Sequence, residues 1–156
     1  MKLGVLVLFV PFLLGFIAST SFERGINLEM PLSDSDERIS PYDRIKDSQI
    51  YVFDDKVVLQ IKDASLAEYA NTNSMDPLLD EYATGIEVEV KSEDELHVGD
   101  VVAYETDIGL IAHRIIEISY DNDGKYFILK GDNNNGSDPY KIRFNQIKYV
   151  LVGVIY

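Results

Sequence analysis

The chain begins with a long apolar run and then turns polar. After Lys2, no charged residue occurs until Glu23, and the run between them is long enough for a helix that crosses a bilayer. Because the only side-chain positive charge before the run is Lys2, we expect residues 1–22 to form a transmembrane signal anchor with a cytoplasmic N-terminus. A cleaved secretory signal peptide is the alternative, since the small residues at 18–20 could form a cleavage region.

Residues 23–48 are polar, carry charges of both signs and contain two prolines. Low hydrophobicity with mixed charge is typical of a linker rather than of a packed element. We therefore predict a polar juxtamembrane linker here, which would hold the following domain close to the membrane.

From residue 49 onward, short apolar or alternating segments are separated by turn residues, which is the pattern of β-strands. A mostly antiparallel β domain is therefore expected over residues 49–156. The stretch from Ala64 to Tyr69 fits either a strand or a short helical turn. The other predicted strands are Gln49 to Phe53, Lys56 to Ile61, Gly85 to Val90, Val101 to Tyr104, Leu110 to Ile118, Lys125 to Leu129 and Tyr149 to Tyr156.

Two turns predict β-hairpins. Asp54-Asp55 separates the first two predicted strands, and Asp123-Gly124 lies between two later ones. Asp-Gly between alternating apolar residues is a strong short-range hairpin signal. The second hairpin would carry His113 on its first arm and place Asp132 just beyond its second, so we expect these two side chains to lie close together.

Composition limits the classes of function. A chain of 156 residues, nearly half of them apolar, suits one compact domain. Its formal charge of −13 argues against nucleic-acid binding, which needs a basic surface, and would repel an anionic lipid surface. The chain contains no cysteine, so a disulfide framework and a thiolate metal site are both excluded.

Three separate pieces supply a serine, a histidine and two aspartates. Ser74, His113, Asp132 and Asp138 together are the side chains that acyl transfer needs when a base activates a hydroxyl and a carboxylate orients the base. His113 is one of only two histidines, which restricts the choice of base. The other, His97, lies in a polar run and is expected to be a solvated strand or turn residue.

In this order, the pieces resemble the type I signal peptidases of the archaeal and endoplasmic-reticulum branch. That family has a Ser-Met-x-Pro box, a Gly-Asp-Val-Val strand, a His-Arg box and a Gly-Asp-Asn-Asn box followed by a further aspartate. The resemblance covers about residues 71–156 and the N-terminal apolar run. The matching segments are Ser74-Met75-Asp76-Pro77, Gly99-Asp100-Val101-Val102, His113-Arg114, and Gly131-Asp132-Asn133-Asn134 with Asp138.

The resemblance assigns a role to each candidate residue. Ser74 would be the nucleophile and His113 the general base, where the bacterial branch of the family has a lysine. Asp138 would orient His113, with Asp132 as a supporting carboxylate, although the residues alone leave both aspartates open. Thr72 stands where the family often has a serine whose hydroxyl supports the oxyanion hole, but Asn73 replaces the usual glycine of that motif.

The loop from Asp132 to Asp138 is also rich in oxygen ligands, which makes a hard cation the alternative occupant. Its spacing misses the EF-hand pattern, because the glycine comes one position early and no glutamate closes the loop. We therefore expect a catalytic loop, with no metal and no cofactor.

Taken together, the sequence predicts a mainly β protein in which one transmembrane helix precedes a signal-peptidase-like domain. The expected function is removal of signal peptides from exported preproteins by a serine endopeptidase at the outer face of the cell membrane. Its partners would be preproteins and the bilayer, while accessory subunits stay unknown. The alternative is not an enzyme but a tethered, noncatalytic binding or scaffold domain. A self-cleaving repressor peptidase is disfavoured, because no basic DNA-binding region is present.

Overall fold

The structure, a computed structural model, describes residues 38–156. The predicted anchor at residues 1–22 and most of the predicted linker lie outside this part of the chain. None of the helices within residues 38–156 is long and apolar enough to cross a membrane. The described part is mainly antiparallel β, in agreement with the sequence-based expectation.

Within residues 38–156, eight strands form two antiparallel sheets. Strands β1 and β2 make a separate two-stranded sheet, and the other six form one sheet in the order β3-β4-β8-β5-β6-β7. Three short 3-10 helices occupy Asp47–Gln49, Glu93–Glu95 and Phe144–Gln146. The strands are β1 Ile50–Val52, β2 Val57–Leu59, β3 Ala64–Glu68, β4 Thr84–Glu89, β5 Val101–Thr106, β6 Gly109–Asp121, β7 Gly124–Lys130 and β8 Ile147–Ile155.

Both predicted hairpins are present. Strands β1 and β2 pair around Asp54-Asp55, and β6 and β7 pair around a turn whose two central residues are Asn122 and Asp123. This turn lies one position earlier than the predicted Asp-Gly pair. Gly124 follows it with a φ of 106°, a backbone conformation that glycine adopts without steric cost. The stretch that begins at Ala64, which fitted a strand or a helical turn, is a strand.

The large sheet buries apolar side chains on both faces. Strand residues alternate between faces, so neighbouring positions on β5 belong to different cores. Val102 packs with Phe127 and Leu129 in one core, whereas Val101 packs with Met75 in the other. Each face of the sheet can therefore hold its own buried polar group next to a core.

Strand β6 contains a bulge. Its register with β7 shifts between Ile115 and Glu117, so Ile116 is the extra residue. A bulge changes which face the following side chains point to. His113 and Arg114 both precede it, and they lie opposite Val102 and Val101 of β5.

The part of the predicted linker that the structure describes, residues 38–48, lies against the β domain. The carboxylate of Asp100, which is fully buried, accepts hydrogen bonds from the backbone N–H of Tyr42 at 2.9 Å and from Arg44 at 2.6 Å. Residues 38–48 belong to the same compact unit as the β domain, which spans Arg38–Tyr156. A buried carboxylate that needs donors explains why this polar segment is held in place.

Candidate active site

His113 and Asp138 form a buried pair. The Nδ1 atom of His113 lies 2.9 and 2.8 Å from the two carboxylate oxygens of Asp138. Their side chains are only 8% and 11% exposed. The position of Asp138 is fixed by its backbone N–H, which donates to the carbonyl oxygen of Leu129 on β7 at 2.7 Å. A carboxylate in this position holds the imidazole in one orientation, with Nδ1 protonated and Nε2 left to act as a base.

Tyr104 is a third member of this group, and sequence reasoning missed it. Its hydroxyl donates to Asp138 Oδ2 at 2.8 Å. Burial, together with this hydrogen bond to a carboxylate, raises the pKa of the Tyr104 hydroxyl. Tyr104 lies two positions after Val102, the residue opposite His113, so both side chains are on the same face. The strand register would have revealed the contact, but register is not readable from the sequence alone.

Arg114 and Asp132 form a second buried pair, on the opposite face of β6. The Nε and NH2 groups of Arg114 donate to the two oxygens of Asp132, both at 2.7 Å. Its NH1 group donates to the carbonyl oxygen of Gly99 at 2.7 Å. This bidentate geometry fixes the loop that begins at Asp132. Of the two candidate aspartates, the structure therefore places Asp138 against His113 and Asp132 against Arg114.

Ser74 lies in a turn that the second core and the aspartate loop hold in place. The next residue, Met75, is 3% exposed and packs with Leu79 and Val101. The backbone N–H of Asn133 donates to the carbonyl oxygen of Ser74 at 2.9 Å. Asn73, which stands where the family has glycine, adopts a φ of 58°. Asparagine tolerates this left-handed conformation better than most residues, so the replacement is compatible with the turn.

Gly131 brings the serine turn next to the strand that carries the histidine. A Cβ atom on Gly131 would lie 2.5 Å from the carbonyl oxygen of Ser74, so only glycine permits this approach. The preceding residue, Lys130, pairs with Arg114. Continuing the antiparallel register by one residue places Gly131 alongside His113. The backbone of Ser74 therefore packs beside the segment that lies next to His113.

The hydroxyls of Ser74 and Thr72 are 3.1 Å apart. Among residues 38–156, no hydrogen bond joins Ser74 to His113. Catalytic hydrogen bonds are often long before substrate binds, and the surroundings of the two side chains are contiguous. Ser74 lines one cleft and His113 lines a neighbouring one, and Ile111 contributes to both.

The cleft that contains Ser74 has a volume of about 210 Å³. Small side chains line much of it, and Thr72, whose hydroxyl contacts that of Ser74, also contributes to the lining. The contributing alanines are Ala67, Ala70, Ala103 and Ala112. The cleft that contains His113 and Asp138 is larger, about 550 Å³, and is bordered by Tyr140 and Ile108.

The other candidates are accounted for by contacts of their own. His97 is partly exposed, and its ring stacks on Tyr42 with centroids 4.0 Å apart, so it belongs to the contact with the N-terminal segment. The two carboxylates of the loop from Asp132 to Asp138 face Arg114 and His113. Each carboxylate therefore binds a side chain of the protein, and the two do not face a common point at which a cation could bind.

Comparison of the chain with protein families, curated proteins and solved structures found no match.

Proposed function

We propose that this protein is a membrane-anchored serine endopeptidase that removes signal peptides from exported preproteins. The observation that carries the proposal is the buried pair formed by His113, on β6, and Asp138, in the loop after β7, next to a segment that packs against the Ser74 turn. The resemblance of four sequence segments to type I signal peptidases supports the same function.

In the proposed reaction, the Ser74 hydroxyl attacks the carbonyl carbon of the scissile peptide bond. Nε2 of His113 takes the hydroxyl proton and later gives it to the leaving amine. Asp138 stabilises the imidazolium formed between these steps, and Tyr104 holds the carboxylate in place. The resulting acyl-enzyme is then hydrolysed by a water molecule that His113 activates in the same way.

The developing oxyanion needs donors close to the nucleophile. The backbone N–H of Ser74 and the hydroxyl of Thr72 are the proposed donors. The Thr72 hydroxyl is 3.1 Å from the Ser74 hydroxyl, close enough for both to contact the same reacting group.

The cleft beside Ser74 suits an extended polypeptide with small side chains. Strand β7 pairs with β6 from Arg114 onward, so within the described residues the outer edge of β6 before this point has no strand partner. An extended substrate could pair with this edge through backbone hydrogen bonds. Alanine-lined walls would then favour small residues at the first and third positions before the cut, as in the family that the chain resembles.

The location of the protein follows from the N-terminal apolar run. We propose that residues 1–22 anchor the protein as a single span and that the β domain faces the exterior. Preproteins emerging at that face would present their cleavage sites to the anchored domain.

The deciding experiment is cleavage of a preprotein in proteoliposomes by the full chain and by Ser74→Ala, with sequencing of the new N-terminus. Ser48→Ala is the matched control, because Ser48 is exposed in a 3-10 helix outside the site. We expect one cut after a small residue with the wild type and the control, and none with Ser74→Ala. Cleavage that survives Ser74→Ala would refute the proposal.

A noncatalytic scaffold is the second candidate, because in this structure Ser74 contacts Thr72 and not His113. Under that hypothesis, the folded protein would bind preproteins without cutting them. The same proteoliposome assay distinguishes the two functions, provided that co-sedimentation of uncut preprotein is measured in parallel.

A further inference from the structure

A buried carboxylate that the proposed mechanism does not use lies in the wall of the nucleophile cleft. Glu87, on β4, is only 6% exposed, and it lines the same cleft as Ser74. One of its carboxylate oxygens, Oε1, accepts a hydrogen bond from the Tyr69 hydroxyl at 2.9 Å. Within residues 38–156, no lysine, arginine or histidine forms an ion pair with Glu87. Its charge is therefore not balanced by a cation of the described domain.

The pair is built into the sheet. Gly85 lies two residues before Glu87 on β4, and a Cβ atom there would overlap the Tyr69 hydroxyl. Glycine therefore leaves the space that Tyr69 occupies to reach Glu87. Tyr69 also packs against the core that contains Met75, the residue after the nucleophile. The position of Glu87 is thus linked to the same packing that positions Ser74.

The second carboxylate oxygen of Glu87 has no donor among the described residues, although a carboxylate can accept several hydrogen bonds. Burial raises the pKa of Glu87, and the hydrogen bond from Tyr69 only partly opposes this effect. Among the described residues, the second oxygen is not one of the buried side-chain atoms without a hydrogen-bond partner, so it is accessible from the cleft. A donor on a ligand in the cleft can therefore reach it.

We propose that Glu87 is a specificity-determining residue, which makes the cleft prefer a substrate with a serine or threonine side chain next to the scissile bond over one with alanine or valine. This inference rests on the proposed function and names its substrate class. A hydroxyl can donate to the free oxygen of Glu87, and it fits among the alanines of the cleft. A lysine side chain fits less well, because it would carry a full charge into a small, largely apolar space.

The test uses preproteins that differ only in having Ala, Ser, Thr or Val at the first or the third position before the cut. Pairs compete in one reaction, and the ratio of kcat/KM values is measured for wild type, Glu87→Leu and Glu87→Gln. We expect wild type to favour serine over alanine by about tenfold, as one hydrogen bond to a buried acceptor implies. Glu87→Leu should remove this preference, so that the serine and alanine substrates are cleaved with nearly equal kcat/KM.

Glu87→Gln keeps an acceptor without the charge, so an intermediate preference is expected. It also decides the test if Glu87→Leu does not fold, because a serine preference equal to that of wild type would overturn the proposal. An unchanged preference in folded Glu87→Leu would overturn it as well.

A binding assay separates failure of this inference from failure of the proposed function. Fluorescence anisotropy measures binding of labelled Ala and Ser peptides to Ser74→Ala, with and without Glu87→Leu. A serine preference that Glu87→Leu removes supports the role of Glu87 even if the wild type cuts no preprotein. Equal affinity for the two peptides in Ser74→Ala refutes that role, whether or not cleavage occurs.

Discussion

The two aspartates of one loop have different partners, and replacing each by asparagine separates their roles. In Asp138→Asn, an NH2 group replaces one of the two oxygens that face Nδ1 of His113, and the amide oxygen that remains is shared with the Tyr104 hydroxyl. An NH2 group donates and cannot accept the Nδ1 proton. The substitution therefore favours the tautomer with the proton on Nε2, which cannot act as the base for Ser74.

The expected loss is large because the wrong tautomer removes base catalysis altogether. The same substitution in a serine protease triad lowers kcat by about 10⁴-fold. At about 1.4 kcal/mol for each factor of ten, this corresponds to about 5 kcal/mol of transition-state stabilisation. Because His113 and Asp138 are almost fully buried, water cannot easily replace the missing acceptor, so we expect a loss of similar size.

Asp132→Asn is the matched control. It changes a carboxylate of the same loop that contacts Arg114 through two hydrogen bonds and does not contact His113. Breaking this buried pair should cost about 3–5 kcal/mol of folding free energy. At a temperature where the control is still folded, its kcat should fall far less than that of Asp138→Asn.

The assay is single-turnover cleavage of a preprotein, with circular dichroism to confirm that each variant is folded. Nitrogen-15 NMR of His113 reports which ring nitrogen carries the proton. A decrease of less than tenfold in Asp138→Asn would refute the assigned role of Asp138. Equal losses of activity in the two folded variants would show that catalysis does not depend on which of the two aspartates contacts His113.

Three further substitutions test other contacts. Gly131→Ala should lower activity by about 10²-fold, because the added Cβ would displace the Ser74 turn. Gly136→Ala, in the same loop, should leave activity unchanged, because nothing lies within 4 Å of the added Cβ. Tyr104→Phe removes the hydroxyl that holds the carboxylate of Asp138 in place, so kcat should fall by about tenfold while the variant stays folded; an unchanged kcat would show that Tyr104 does not position Asp138. Burial raises the pKa of Glu87 above its usual 4.5, so its favourable contribution to stability is present below that pH and is lost as pH rises through the folded-state pKa. Calorimetry should therefore show that the Tm of Glu87→Gln rises relative to that of wild type as the pH increases toward neutrality. A difference in Tm that does not change with pH would contradict the raised pKa of Glu87.

The sequence predicted which strands form, because the pattern that specifies them is local. It predicted Asp132 beside His113, whereas the structure pairs Asp132 with Arg114. Alternation gave the strands, and the Asp-Gly pair predicted the hairpin that carries His113. The two aspartates could not be assigned to their partners from the residues alone. The reason is that His113 and Arg114 are adjacent, and which face each one points to depends on pairing with β5 and on the bulge that follows.

Other contacts depend on approaches between distant parts of the chain. The requirement for glycine at position 131 comes from its distance to the Ser74 turn, which the sequence does not reveal. Glu87 occupies one position of an alternating strand and would be expected to face solvent, yet it is buried under Tyr69. Residues 38–48 resembled a linker in the sequence, because the group that stabilises them, the buried carboxylate of Asp100, lies some 60 residues away along the chain.

The bulge at Ile116 divides strand β6 into two stretches that differ in their tolerance of insertions. On the side of Gly109, adding or deleting one residue would exchange the faces of His113 and Arg114 and place a guanidinium where the imidazole belongs. On the far side, the turn between Asp121 and Gly124 is exposed and touches neither buried pair. A peptide tag or a fluorescent reporter inserted at Asn122 would thus be carried on the β6–β7 hairpin without changing the faces that His113 and Arg114 occupy.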